Sequence, residues 1–121
     1  MGKEVISFEI RKAAQSGEWS KVENLCSGHR DSLSDPEISS WIRSRYMLGD
    51  FEGCNEISKN ALRDNPRNAI ALRFTARSVT KLGLSILEAK ECWEAVLALE
   101  PEDLEAMNNI ARFLAKEGKF E

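Results

Sequence analysis

Four arginines, Arg11, Arg43, Arg77 and Arg112, each stand six residues before a glycine, namely Gly17, Gly49, Gly83 and Gly118. A guanidinium offers a planar fork of N–H donors that matches the oxygens of a carboxylate or phosphate. A row of them is chemistry for holding an anion, not for breaking bonds. Four residues before the arginines are Ser7, Ser39, Arg73 and Asn108; three after them are Ala14, Tyr46, Thr80 and Ala115. On a helix these offsets share a face. The candidate ligand-binding residues are therefore Arg11, Arg43, Arg73, Arg77, Arg112, Ser39, Tyr46 and Asn108. The competing reading is of solvated helix arginines paired with Glu4, Glu37 or Glu105, each exposed pair contributing roughly 0–1 kcal/mol.

Nothing else in the chain asks for a reaction. His29 is the only histidine, which excludes a histidine-dependent triad and a multi-histidine metal site. Cys26, Cys54 and Cys92 are odd in number and none lies at metal-ligand spacing from another, so reduced, buried thiols and a cytoplasmic location are expected. No glycine-rich phosphate loop is present. No catalytic residue, metal site or cofactor is assigned, and the chain reads as non-enzymatic. Its formal net charge of −3 argues against nucleic acid or an anionic membrane surface as partner, and no apolar stretch is long enough to span a bilayer.

The arginines need helices to carry them. Eleven residues before the glycines are Ile6, Ile38, Leu72 and Met107; seven before are Ile10, Ile42, Ala76 and Ala111. Four before, Ala13, Val79 and Leu114 are apolar and Arg45 is not. Offsets of this kind lie on one side of a 3.6-residue period. After the glycines the pattern resumes, with Phe51, Cys54, Ile57, Ala61 and Leu62 in one unit and Ile86, Ala89, Trp93, Val96 and Leu97 in the next. Helices are predicted over 3–16, 18–29, 36–48, 51–64, 69–82, 86–99 and 103–117. Asp35-Pro36, Asp50, Asn68, Ser85 with Glu88, and Asp103 are the predicted helix starts, and Asn65-Pro66 and Glu100-Pro101 the stops. Trp19, Trp41 and Trp93 fall at packing positions, and His29 at a helix end, where a cation suits the dipole.

The spacing of about 34 residues, with Trp41, Gly49-Asp50-Phe51, Cys54, Ala61 and Asn65-Pro66 in one unit and Leu72, Ala76, Gly83, Ala89, Trp93 and Pro101 in the next, resembles the tetratricopeptide repeat. The resemblance covers nearly the whole chain as one domain: a degenerate unit over 3–34, two full units over 35–68 and 69–103, and an incomplete one over 104–121. Glu9, His29 and Arg45 stand where the family usually has apolar or small residues. The resemblance implies an all-α, right-handed superhelix of about seven helices in antiparallel pairs, with the first helix of each pair on the concave wall. It also implies a non-catalytic module that binds a protein or peptide partner; the arginines make an acidic, extended segment or another anionic ligand the expected occupant. The family's carboxylate clamp is not matched, since its positions hold Ser7, Arg11, Ser40, Ile70 and Phe74; the asparagine ladder of the sugar-transferase arrays is likewise absent. An alternative role is an accessory region of a larger enzyme such as a glycosyl- or sulfo-transferase. Gly118-Lys119-Phe120-Glu121 starts another turn with no helix to follow, so Ile110 and Leu114 are expected to lack a cover. Two readings follow: a piece of a longer protein, or self-association through the uncapped last helix.

Overall fold

The computed structural model describes residues 2–118. These residues form seven α-helices and no strand: α1 (Lys3–Gln15), α2 (Trp19–Ser27), α3 (Asp35–Met47), α4 (Phe51–Asp64), α5 (Ala69–Lys81), α6 (Ile86–Leu99) and α7 (Leu104–Glu117). Each helix packs on the next, and in addition α1 packs on α3 and α3 on α5. The second helices α2, α4 and α6 make no comparable contact with one another. The array therefore closes up along its first helices and opens along its second, which places α1, α3 and α5 on the inner wall of a solenoid. The predicted turn of helix at 119–121 lies outside the described residues.

The four glycines end the first helices because each takes a positive φ, from 68° to 84°. An L-residue with a side chain pays for that conformation, whereas glycine does not. Asp50, Asn68, Ser85 and Asp103 cap the helices that follow them, accepting from the amides of Gly53, Ala71, Glu88 and Ala106. At α3 the expectation needs correcting. The cap is Ser34, not Asp35, and its amide donates to Glu37 Oε1 at 3.0 Å in a full capping box. Pro36 then sits inside the first turn, where its missing N–H costs nothing. The helix predicted over 18–29 is also shorter, stopping at Ser27 and followed by a 3-10 turn at Arg30–Ser32. No proline separates these units; instead the His29 ring bonds the Leu25 carbonyl at 2.9 Å and the Ser32 hydroxyl donates to His29 O at 3.1 Å.

Two apolar clusters form the core. One gathers Ile10, Ala13, Val22 and Cys26 with Trp41, Ile42, Cys54, Ile57, Ala61, Ala71 and Phe74. The other joins Leu72 and Ala76 to Cys92, Trp93, Val96 and Ala106. Helix α5 feeds both, from opposite faces. The three thiols are free and buried, and burial pushes Cys26 up to about 12 and Cys54 and Cys92 up to about 11. They stay protonated and unreactive at neutral pH.

Arg45, which departs from the repeat pattern, is accommodated by a partner on the preceding helix, α2. Its Nε donates to Glu23 Oε1 at 2.8 Å, and Trp41 Nε1 donates to the same oxygen at 3.0 Å. The guanidinium lies 4.6 Å from the Trp41 ring centre. Burial works against its charge, but Glu23 outweighs it and the pKa is raised. This cluster ties α2 to α3 where the degenerate first unit meets the second.

Helix α7 is attached differently. It shares no close backbone approach with α5 of the kind seen between α3 and α5. Only Ala106 is fully buried, with Ile110 and Phe113 half-buried against the second cluster. Ile110 thus has a cover on that side, contrary to expectation; Leu104 at 71% and Met107 at 38% are the large apolar side chains of α7 left in solvent. Long side chains span the gap to α5. Arg77 Nε and Nη2 donate to Glu105 Oε2 and Oε1 at 2.8 and 2.6 Å. Arg73 Nη1 donates to Asp103 at 2.9 Å and Glu105 at 3.3 Å, and its Nη2 to Glu100 at 2.9 Å.

Three outcomes are expected. In Gly49→Ala and Gly83→Ala the new Cβ meets no atom within 4 Å, so the cost is conformational alone, about 1–2 kcal/mol in urea unfolding. Glu23→Ala leaves Arg45 and Trp41 Nε1 without their acceptor and costs about 1–3 kcal/mol, more than the Glu23→Ala/Arg45→Met pair. The carboxyl pKa of Asp103 is lowered, first by the Ala106 amide and then by Arg73; burial raises that of Glu105, but Arg77 and Arg73 outweigh it. Groups depressed in the folded state stabilise it above their unfolded pKa and cease to do so as pH falls through the folded value. Acidification below the ordinary carboxylate range should therefore raise amide exchange in α7 before that in α3–α5.

Candidate functional site

The inner wall carries two adjoining clefts. One, of about 400 Å³, lies between α1 and α3 and is lined by Ser7, Arg11, Gln15, Ser40 and Arg43 over Ile10 and Ala14. The other, of about 500 Å³, lies between α3 and α5, with Ser39, Ser40 and Arg43 facing Asn68 and Ile70. Pro36, Ser40 and Arg43 belong to both, so the clefts run together across α3. Their position follows from the packing: α1, α3 and α5 lie side by side, and the short side chains Ser7, Ser39, Ser40 and Ala14 leave room between them.

Arg11 and Arg43 are exposed on this wall, and among the described residues neither has a carboxylate within 4.0 Å. Arg11 lies 5.9 Å from the Phe8 ring centre and Arg43 lies 6.0 Å from that of Phe74. Each guanidinium thus lies within cation–π range of a ring and, among the described residues, has no carboxylate on its donor fork. Tyr46 packs edge-on to Phe51 at 5.2 Å and to the buried Phe74 at 5.4 Å. One acid enters the first cleft. Burial works against the charge of Glu37, but hydrogen bonds from Ser7 and Ser34 and the nearby Lys3 outweigh it, lowering its pKa. The Glu37 carboxylate is thereby engaged away from Arg11 and Arg43.

The candidate residues fall into three groups. Arg11, Arg43 and Ser39 line the clefts and Tyr46 lies beside them. Arg73 and Arg77 are on the same row one unit further along, but their forks are filled by Glu100, Asp103 and Glu105. Arg112 and Asn108 are exposed on α7 and line neither cleft. The paired reading therefore describes Arg77 and the unpaired one describes Arg43, although both hold the same repeat position. Ser7, Ser40 and Gln15 also line the groove without having been singled out; each is three or four residues from a groove arginine, and that spacing was the available signal. No group of His, Cys, Asp and Glu among the described residues is arranged to hold a metal ion.

No family's sequence model matches the chain, and no curated protein matches it. Solved structures do. The first TPR of Spaghetti (RPAP3), bound to the HSP90 peptide SRMEEVD, superposes with a TM-score of 0.80 at 20% identity, covering 94% of this chain and 91% of that one. PcrH from Pseudomonas aeruginosa superposes with a TM-score of 0.67 at 15% identity, covering 93% and 88%. No helix among the described residues is long and apolar enough to cross a membrane. The glycine register, the paired helices and these superpositions together make the fold that of a tetratricopeptide-repeat array.

Proposed function

We propose that the chain is a non-catalytic interaction module that holds an extended, acidic segment of a protein partner against α1, α3 and α5. The observation that carries this is Arg43: it is exposed, without a carboxylate partner among the described residues, and lines both clefts at the point where they join. Serine hydroxyls on either side supply further donors, and Ile10, Ala14 and Ile70 offer apolar surface between them. A curved wall concentrates the field of its cations on an incoming anion even in a chain of net charge −3. The solved neighbour's peptide, SRMEEVD, is itself acidic. A clamp for a terminal carboxylate is not part of this reading, because Ser7, Arg11, Ser40, Ile70 and Phe74 do not supply one. Recognition here is of side-chain carboxylates along a segment. The three protonated, free thiols suit a reducing compartment such as the cytoplasm.

A labelled oligoglutamate peptide tests this by fluorescence anisotropy. Arg11→Ala/Arg43→Ala should weaken binding at least tenfold, about 1.4 kcal/mol, with an unchanged melting temperature. Raising salt should weaken binding, and amidating the peptide's C-terminus should not. Undiminished affinity in the double variant would overturn the proposal.

A further inference from the structure

Arg77 holds on α5 the repeat position that Arg43 holds on α3 and Arg11 on α1, yet Arg77 alone of these three is already occupied. Its Nε and Nη2 grip both oxygens of Glu105, the two-pronged arrangement a ligand carboxylate would adopt. The occupied and open positions flank one buried ring. The Phe74 ring centre lies 4.7 Å from the Arg77 guanidinium and 6.0 Å from that of Arg43. Resting on the groove reading above, we propose that Glu105 is an internal competitor for the arginine row. An acidic partner segment long enough to pass Arg43 and reach Arg77 displaces it and loosens α7.

Three features make the exchange feasible. The Glu105 side chain has no structural duty beyond the arginines, whereas the neighbouring Asp103 also caps α7 through the Ala106 amide at 2.9 Å. Its side chain is a third exposed, so it can turn out to water without unfolding the helix. One carboxylate replaces another on the same fork, so the arginine loses nothing. What α7 loses is one of its few ties to α5, since its apolar hold is only Ala106, Ile110 and Phe113. The groove then has an open end at Arg11 and Arg43 for any acidic segment, and a self-closed end that selects for length.

The test compares a short and a long oligoglutamate peptide by anisotropy, with hydrogen exchange of α7 recorded in parallel. Glu105→Gln should bind the long peptide about two- to fivefold more tightly and leave the short one unchanged. The long peptide, not the short one, should raise α7 exchange in the wild-type chain. Glu105→Asp keeps the charge on a shorter arm and should lie between the two; it carries the test if α7 of Glu105→Gln already exchanges freely without peptide. Unchanged long-peptide affinity in both variants, with Arg11→Ala/Arg43→Ala still abolishing binding, would overturn the competitor role and leave the groove intact. Failure of every form to bind either peptide would overturn both.

Discussion

The array depends on how closely α5 can be approached from two sides. Ala71, Thr75, Ala76 and Ser78 are at most 1% exposed, and none carries a side chain long enough to hold a neighbouring helix away. Interdigitating ridges need such small residues where two axes come near. The Thr75 hydroxyl has no hydrogen-bond partner among the described residues, whereas the buried Ser78 and Ser44 are satisfied locally. Ser78 donates to Thr75 O at 3.1 Å and Ser44 to Trp41 O at 2.8 Å, each inside its own helix. With α5 buried on both faces, Phe74 and Ala71 serve one cluster while Leu72 and Ala76 serve the other. Without that double role the helices α1–α4 and the pair α6–α7 would have no shared core.

The same constraint decides the chemistry of the inner wall. Where first helices touch, as α1, α3 and α5 do, their backbone spacing leaves narrow clefts and keeps the arginines pointing along an open groove. Where the backbones stand apart, at α5 and α7, long side chains fill the interval and the arginines are consumed in holding it. Arg43 and Arg77 are the same residue type at the same repeat position. They differ because α7 and the turn before it bring Glu105, Asp103 and Glu100 within reach of α5, whereas α5 and its cap bring Ile70 and Asn68 towards α3. Arg45 shows a third fate: half-buried against Trp41, it is retained by a carboxylate supplied from α2.

Much of the fold was legible because its signals are local. Positive-φ glycines, caps whose acceptor is three residues from the donor, and apolar residues at helical spacing all act within a few positions. The spans 51–64 and 86–99 agree with α4 and α6 to the residue. Errors arose where two local solutions compete. Ser34 and Asp35 can both cap α3, and Glu37 three residues on from Ser34 decides for the serine through the capping box. After α2, no proline signals the stop, and the 3-10 turn depends on His29 bonding back to Leu25.

By itself the sequence determined that this is a helical repeat, where each hairpin turns, and that an arginine recurs at one position of every first helix. Those properties follow from backbone conformation and from the period of the helix, both set by near neighbours. Which arginines remain available was decided only in three dimensions. Pairing with Glu105 depends on the axis-to-axis gap between α5 and α7, and that gap is set by side chains 30 residues apart in the chain, as in the bond from Arg73 to Asp103. Spacing along the sequence carries no measure of such a distance, because it is the sum of packing at every intervening contact.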